Sequence, residues 1–312
     1  MTSIGTHGGV SCRSLCRSFG PVQAVREIDL DAPPGEVTAL VGPNGSGKTT
    51  LLLVLATLLV PDAGTVRVAG FDPVTRPREV RARTGWTPDV FGVYDGLTAA
   101  EYVTFFAHAH RLPEERVASR VAELLELVHL DGYADEPVSV LSRGQKQRLG
   151  LTRALVHAPS VLLLDEPAAG LDPRSRVDLR HLLRRVAADG AAVLVSSHVL
   201  GDLEEVADRV VFVDRGRTVA SESVSDLDDD VPARTWRLRS LDDDALAAAL
   251  TGAGVAWTRT GGGDADVVVA GEAEAARLLA MLVRAGAPVS AFGPVGSALE
   301  AAYLRLTAGD RR

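Results

Sequence analysis

The nine residues GPNGSGKTT at positions 42–50 constrain this chain more than any other stretch. They fit the pattern G-x-x-x-x-G-K-S/T through Gly42, Gly47, Lys48 and Thr49. Glycines let a backbone wrap close to an anionic group, so that successive amide hydrogens point at phosphate oxygens. A helix starting where the loop ends adds its positive N-terminal end. Lys48 brings a mobile charge for the outer phosphates, and the Thr49 hydroxyl suits Mg²⁺. A glycine-rich turn with a chance lysine is the plainer reading. The flanks weigh against it, because the apolar run 37–41 precedes the loop and a helical pattern over 49–59 follows it. Strand, glycine loop and helix open an α/β domain with a parallel sheet.

Further along, the apolar runs 161–164, 191–196 and 210–213 read as buried parallel strands. Residues 10–19 and 25–32 read as shorter strands, with a turn at Pro33-Pro34-Gly35. Residues 98–132 read as mostly helical, in two segments parted at Leu112-Pro113, with Pro113 opening the second. Asp165 and Glu166 close the first of the later apolar runs. An aspartate at the carboxyl end of a parallel strand faces the ligand crevice and can hold Mg²⁺. Glu166, one residue on, is placed to take a proton from an attacking water. Alone, such a pair reads as easily as a solvated strand end; its place in chain order after the phosphate loop favours chemistry.

LSRGQKQR at 141–148 goes beyond phosphate binding, and with LLLDEP at 162–167, GLDP at 170–173 and SSH at 196–198 it resembles the ATP-binding cassette family over about residues 8–220. The resemblance implies a P-loop NTPase fold with a helical subdomain at about 90–155. It also implies ATP and Mg²⁺ as cofactors. On these positions Phe19 would stack on adenine, and Gly42, Pro43, Asn44, Gly45, Ser46, Gly47, Lys48, Thr49 and Thr50 would cradle the phosphates. Thr49 and Asp165 would hold Mg²⁺, Glu166 would be the general base, and His198 would contact the γ-phosphate beside Lys48. Asp172 would lie at a dimer interface, and Ser142, Gly144 and Gln145 would meet nucleotide held by another subunit. The residues themselves support part of this: Ser142 with Gln145 three residues on is a capping box, and so a helix start. Read without the family, Phe19 is equally a core aromatic, and His198 a structural histidine.

Two positions depart from the family pattern. Asp89, in the loop read at 84–98, stands where the family has glutamine; it can still bind Mg²⁺ or water, with added negative charge beside the phosphates. Arg143 stands where the signature has glycine, and its side chain either adds a phosphate contact or points outward.

After the cassette the texture changes. Residues 221–233 are acidic and polar and read as a linker. From 234 to 312 the order strand (235–240), helix (241–254), two strands (255–260 and 265–270), helix (272–286), strand (288–295), helix (297–307) suggests a small α+β, ferredoxin-like accessory domain. The net charge of −8 argues against a nucleic-acid partner. Cys12 and Cys16 read as two thiols of a reduced compartment. The N-terminal MTSIGTHGGV does not read as a signal peptide. The longest apolar stretch, 51–60, would span about 15 Å as a helix against a bilayer core of about 30 Å. The cassette followed by a small domain ending in SALEAAYLRLT resembles the ATP-binding subunits of bacterial exporters, and that resemblance implies the ATP-hydrolysing subunit of an exporter with a separate membrane permease. It would work as a homo- or heterodimer, peripheral on the cytoplasmic face. A soluble cassette ATPase acting on ribosomes or DNA, and a nucleotide-dependent regulator, are the alternatives.

Overall fold

The computed structural model describes residues 8–89, 92, 94–198, 200–225, 234–296 and 298–308. Strands β1 (Val10–Phe19) and β2 (Val22–Ala32) pair antiparallel. β2 thus starts three residues before the expected strand, because the turn Gly20-Pro21 lets Val22 pair with Phe19. β3 (Val37–Val41) leads through the glycine loop into α1 (Lys48–Leu55). The helix expected over 49–59 ends early. Thr57 adopts φ 66°, its N–H donates to Val54 O at 3.1 Å, and Leu58 N–H donates to Leu53 O at 2.8 Å, closing the last turn. Then come β4 (Ala63–Val68), α2 (Pro77–Arg81) and β5 (Thr84–Thr87). β5 corrects the reading of 84–98 as a loop: its four residues pair in parallel with the neighbouring strand, a tertiary contact that four residues do not announce locally.

Helices α3 (Ala99–Ala109), α4 (Glu114–Leu127) and α5 (Arg143–Leu155) follow. Pro113 caps α4, as its missing N–H allows. The remaining elements of this part are β6 (Val161–Asp165), α6 (Pro173–Ala188), β7 (Ala192–Ser197), α7 (Leu200–Glu204), β8 (Arg209–Asp214) and β9 (Arg217–Ser223). One nine-stranded sheet results, in the order β4-β1-β2-β9-β8-β3-β7-β6-β5. Its centre is parallel and apolar: β3, β6 and β7 are buried at every residue. β9 overruns the expected linker, since Arg217 pairs with Glu27 of β2 and the strand continues to Ser223; residues 226–233 of that linker lie outside the described residues.

The chain divides into two compact units, Met1–Glu222 and Ser223–Arg312. The second holds β10 (Arg234–Ser240), α8 (Asp243–Gly252), β11 (Trp257–Arg259), β12 (Ala265–Val269), α9 (Glu272–Arg284), β13 (Val289–Pro294) and α10 (Ala298–Ala308). The four strands pair antiparallel in the order β11-β12-β10-β13, the ferredoxin-like arrangement. β11 is shorter than the strand expected at 255–260, because Val255 N–H closes α8 on Leu250 O and Thr260 enters the turn to Asp264. Trp236, Leu238, Val267, Val269, Leu246, Leu250 and Leu282 fill the core between sheet and helices.

Candidate functional site

Four neighbouring parallel strands end at one edge of the large sheet. Val41 of β3 pairs with Ser197 of β7, Ser196 of β7 with Asp165 of β6, and Leu164 of β6 with Thr87 of β5. The segments leaving these carboxyl ends are the glycine loop, His198, Asp165-Glu166 and Asp89. Ligands of open α/β sheets bind at such an edge, outside the strand ends.

The loop's glycines are demanded by the protein as well as by any anion. A Cβ at Gly42 would stand 2.1 Å from Val213 O and 2.7 Å from Ser46 Oγ. At Gly47, where φ is 105°, it would stand 2.5 Å from Ala24 O. β8 and β2 thus press on the loop from behind and hold its curvature. Pro43, Asn44 and Gly45 are exposed, and Ser46 N–H donates to Pro43 O at 3.1 Å. The Lys48 ammonium donates to Gly42 O at 2.7 Å and Pro43 O at 3.1 Å. Burial holds its pKa below the ordinary lysine value, while the carboxylates of Glu166 and Asp165 pull it back up. Thr49 is exposed at the helix start. The Ser46 hydroxyl is buried with no hydrogen-bond partner. A phosphate oxygen would satisfy such a donor.

Asp165 is buried, and Ser196 Oγ donates to its Oδ1 at 2.5 Å. Glu166 has φ 50°, a left-handed conformation few non-glycine residues adopt. Its N–H is shared between Ser196 O at 3.2 Å and Ser196 Oγ at 3.1 Å, which fixes the turn. Its Oε2 lies 2.8 Å from His198 Nδ1. One serine therefore fixes the Asp165 carboxylate and the Glu166 backbone. In the sequence Ser196 stands only within the SSH motif; the signal for its role is the pair of hydroxyls that closes the apolar strand β7.

Ser142 caps α5, accepting from Gln145 N–H at 3.2 Å while Gln145 Oε1 accepts from Ser142 N–H at 2.8 Å, so the capping box is present. The start of α5 leans on the segment after Glu166. Gln147 donates to Pro167 O at 3.4 Å, and Leu171 lies against Gly144. The Arg143 guanidinium lies over Gly170, within 3.0–3.4 Å of where a Cβ would be. Asp172 caps α6 with Ser175, whose hydroxyl and backbone N–H hold its carboxyl below the usual carboxylate range. Phe19 is 45% exposed at the end of β1 with Arg17 over its ring, and so is no core aromatic.

Among the described residues no three His, Cys, Asp or Glu side chains converge as a protein-only metal site. That suits Mg²⁺, which takes one or two carboxylates and completes its shell with water and substrate phosphates. The hard oxygens of Asp165 and Thr49 fit it, and Asp89, exposed two residues beyond β5 on the same edge, is a third candidate.

The family model for ABC transporters matches residues 25–169. DrrA of Streptomyces peucetius, a daunorubicin/doxorubicin resistance ATP-binding protein, is 33% identical over 303 residues, covering 96% of this chain and 92% of DrrA. The chain belongs to the ABC transporter family. It is an ATP-binding, ATP-hydrolysing subunit of that family. The sulfate/thiosulfate import protein CysA of Thermosynechococcus vestitus is 39% identical, over 67% of this chain and 62% of CysA. A dimeric ABC cassette in a post-hydrolysis state with ADP and Pi is 25% identical with TM-score 0.62, covering 69% of this chain and 98% of that one. An ATP-binding subunit of another ABC transporter gives TM-score 0.65 at 27% identity, over 70% of this chain and 91% of the other.

Proposed function

We propose that two cassettes of this kind close on two ATP molecules, the glycine loop of one facing Ser142, Gly144 and Gln145 of the other, and drive export through a separate membrane permease. The observation that carries this is the row at the sheet edge, with Lys48 in the field of both carboxylates and His198 hydrogen-bonded to Glu166. The loop amides of 42–50 and Lys48 bind and orient the phosphates. Glu166 Oε2 takes the proton of the attacking water, and His198 holds that carboxylate in place. Asp165, with Thr49, would hold Mg²⁺, whose charge offsets that of the phosphates. Phe19 offers an exposed ring for the adenine.

Hydrolysis is passed on through the 88–98 segment and α3, where exposed Tyr94 and Phe105 sit edge-on at 5.4 Å. Exposed aromatics of this kind suit a protein contact. Among the described residues no helix is long and apolar enough to cross a membrane, and this reading assigns the crossing to the permease. Export of a drug-like cargo is favoured because DrrA, a daunorubicin/doxorubicin resistance protein, is similar through both units. The dimer would then lie on the cytoplasmic face of the membrane. Affinity co-purification from detergent-solubilised native membranes, followed by mass spectrometry, tests this. A stoichiometric polytopic partner is expected; a ribosomal or DNA-repair partner without any membrane protein would overturn it.

A further inference from the structure

The nucleotide chemistry leaves unused an arginine-rich surface of the first unit. Between residues 67 and 83 stand five arginines, Arg67, Arg76, Arg78, Arg81 and Arg83, against two acids, Asp72 and Glu79, in a chain whose net charge is −8. All five arginines are exposed. Both acids are engaged, Asp72 by Arg67 at 3.0 Å and Glu79 by Arg76 at 2.8 Å. Arg81 donates to Thr57 Oγ1 at 3.0 Å and Arg83 to the Glu79 carbonyl at 3.1 Å, neither of which neutralises a charge. Arg78 has no ion-pair partner among the described residues. Exposed aliphatic residues accompany these cations. Leu58 and Val60 are 57% and 58% exposed just beyond Thr57, which Arg81 holds, and Val74 is 43% exposed in the segment leading into α2.

Unneutralised guanidinium groups beside bare aliphatic side chains match an anionic bilayer surface. The cations meet headgroup phosphates while the arginine stems and aliphatics enter the headgroup–acyl boundary. Single-stranded RNA would ask instead for exposed aromatic rings on which bases stack. The aromatic ring here, Phe71, is covered by Arg76 at 4.8 Å and Arg83 at 4.7 Å. Arg83 also directly precedes β5, whose far end leads to Asp89 and the segment assigned above to the permease contact. We propose that the surface formed by Arg78, Arg81 and Arg83, with Leu58, Val60 and Val74, docks on the anionic lipid headgroups of the cytoplasmic leaflet. The docking rests on the membrane-side function proposed above. The rest of the chain carries a net negative charge, so attraction through this patch would orient the cassette on the membrane.

The test is co-sedimentation of the purified full chain with phosphatidylcholine vesicles, with and without phosphatidylglycerol. Binding is expected only with the anionic lipid and should weaken as salt rises. The double variant Arg78→Ala/Arg81→Ala should bind about twenty-fivefold more weakly, about fivefold per arginine, while its ATPase rate stays at the wild-type level. Arg277→Ala/Arg284→Ala, which removes the same charge from exposed positions of α9, should bind as wild type does. Equal binding to neutral vesicles, no binding at all, an equal loss in the α9 variant, or retention by single-stranded RNA without retention by vesicles would each overturn the proposal. The assay contains no permease, so its failure leaves the transporter reading to the co-purification experiment.

Discussion

In the first unit, β3, β6 and β7 are buried at every residue, whereas β10 and β12 of the second unit alternate between core and solvent. A parallel sheet covered on both faces has no open face for chemistry, so its polar groups gather at the strand ends. The buried polar and charged residues among those described all belong to the first unit, and Ser46, Lys48, Asp165, Ser196 and Ser197 stand at that one edge. The antiparallel sheet of the second unit uses one face for its core. On the other it carries ion pairs, Arg237 with Asp266 at 2.7 and 2.8 Å and Arg239 with Asp264 at 3.3 Å. One unit concentrates its polar groups where a reaction can use them; the other disperses them over a surface.

The sharpest way to break this contrast is at the edge itself. Glu166→Gln should lower the ATPase rate by roughly 10²–10⁴-fold and leave ATP affinity close to wild type. Turnover near the wild-type rate would move the chemistry away from the row. Leu238, fully buried in the second core, should cost about 2–5 kcal/mol when changed to Ala, seen by calorimetry as a lowered transition of the second unit. ATP binding by the first unit should survive it, and a lowered first-unit transition would dissolve the distinction.

Acid should separate the units next. His157 stacks on His110 at 3.8 Å and 4°, and burial, with the neighbouring His110, holds its pKa down to about 4. The folded form therefore binds fewer protons than the unfolded chain between about pH 6.5 and 4, and stability is lost as pH falls through that window. The expected loss is about 2 kcal/mol at pH 5 relative to pH 7. All seven histidines precede residue 199, so the second unit's transition should not share it, and His157→Phe should remove most of it, leaving the smaller part due to His110, whose pKa burial also lowers. The smallest effect is expected on the open sheet face: a double-mutant cycle on Arg237 and Asp266 should return no more than about 1 kcal/mol. A larger coupling would mean that this face carries more of the second unit than its exposure implies.

Legibility followed the same divide. The glycine loop, the Asp165-Glu166 pair, the capping box at Ser142 and the strand-helix order of the second unit could all be read. Each depends on spacing within a few residues, and the structure has each of them. β5 could not be read, because its four residues become a strand only by pairing with β6, far away in the chain; β9 was missed although it lies between β2 and β8, from which only two residues separate it. The role of Ser196 was hidden for a similar reason, since its partners lie thirty-one and thirty residues back. Arg143 was left between a phosphate contact and an outward side chain. It lies over Gly170, a neighbour that spacing does not announce.

The left-handed backbone of Glu166 has a consequence for how such a chain changes over generations. A non-glycine residue there carries roughly 1 kcal/mol that glycine would not. Glu166→Gly would relax the backbone and abolish proton transfer together, so selection for folding and selection for turnover pull in opposite directions on a single codon. A lineage freed from the need to hydrolyse ATP has a downhill route at this position. Retention of glutamate after Asp165 in a descendant gene therefore records that turnover is still under selection.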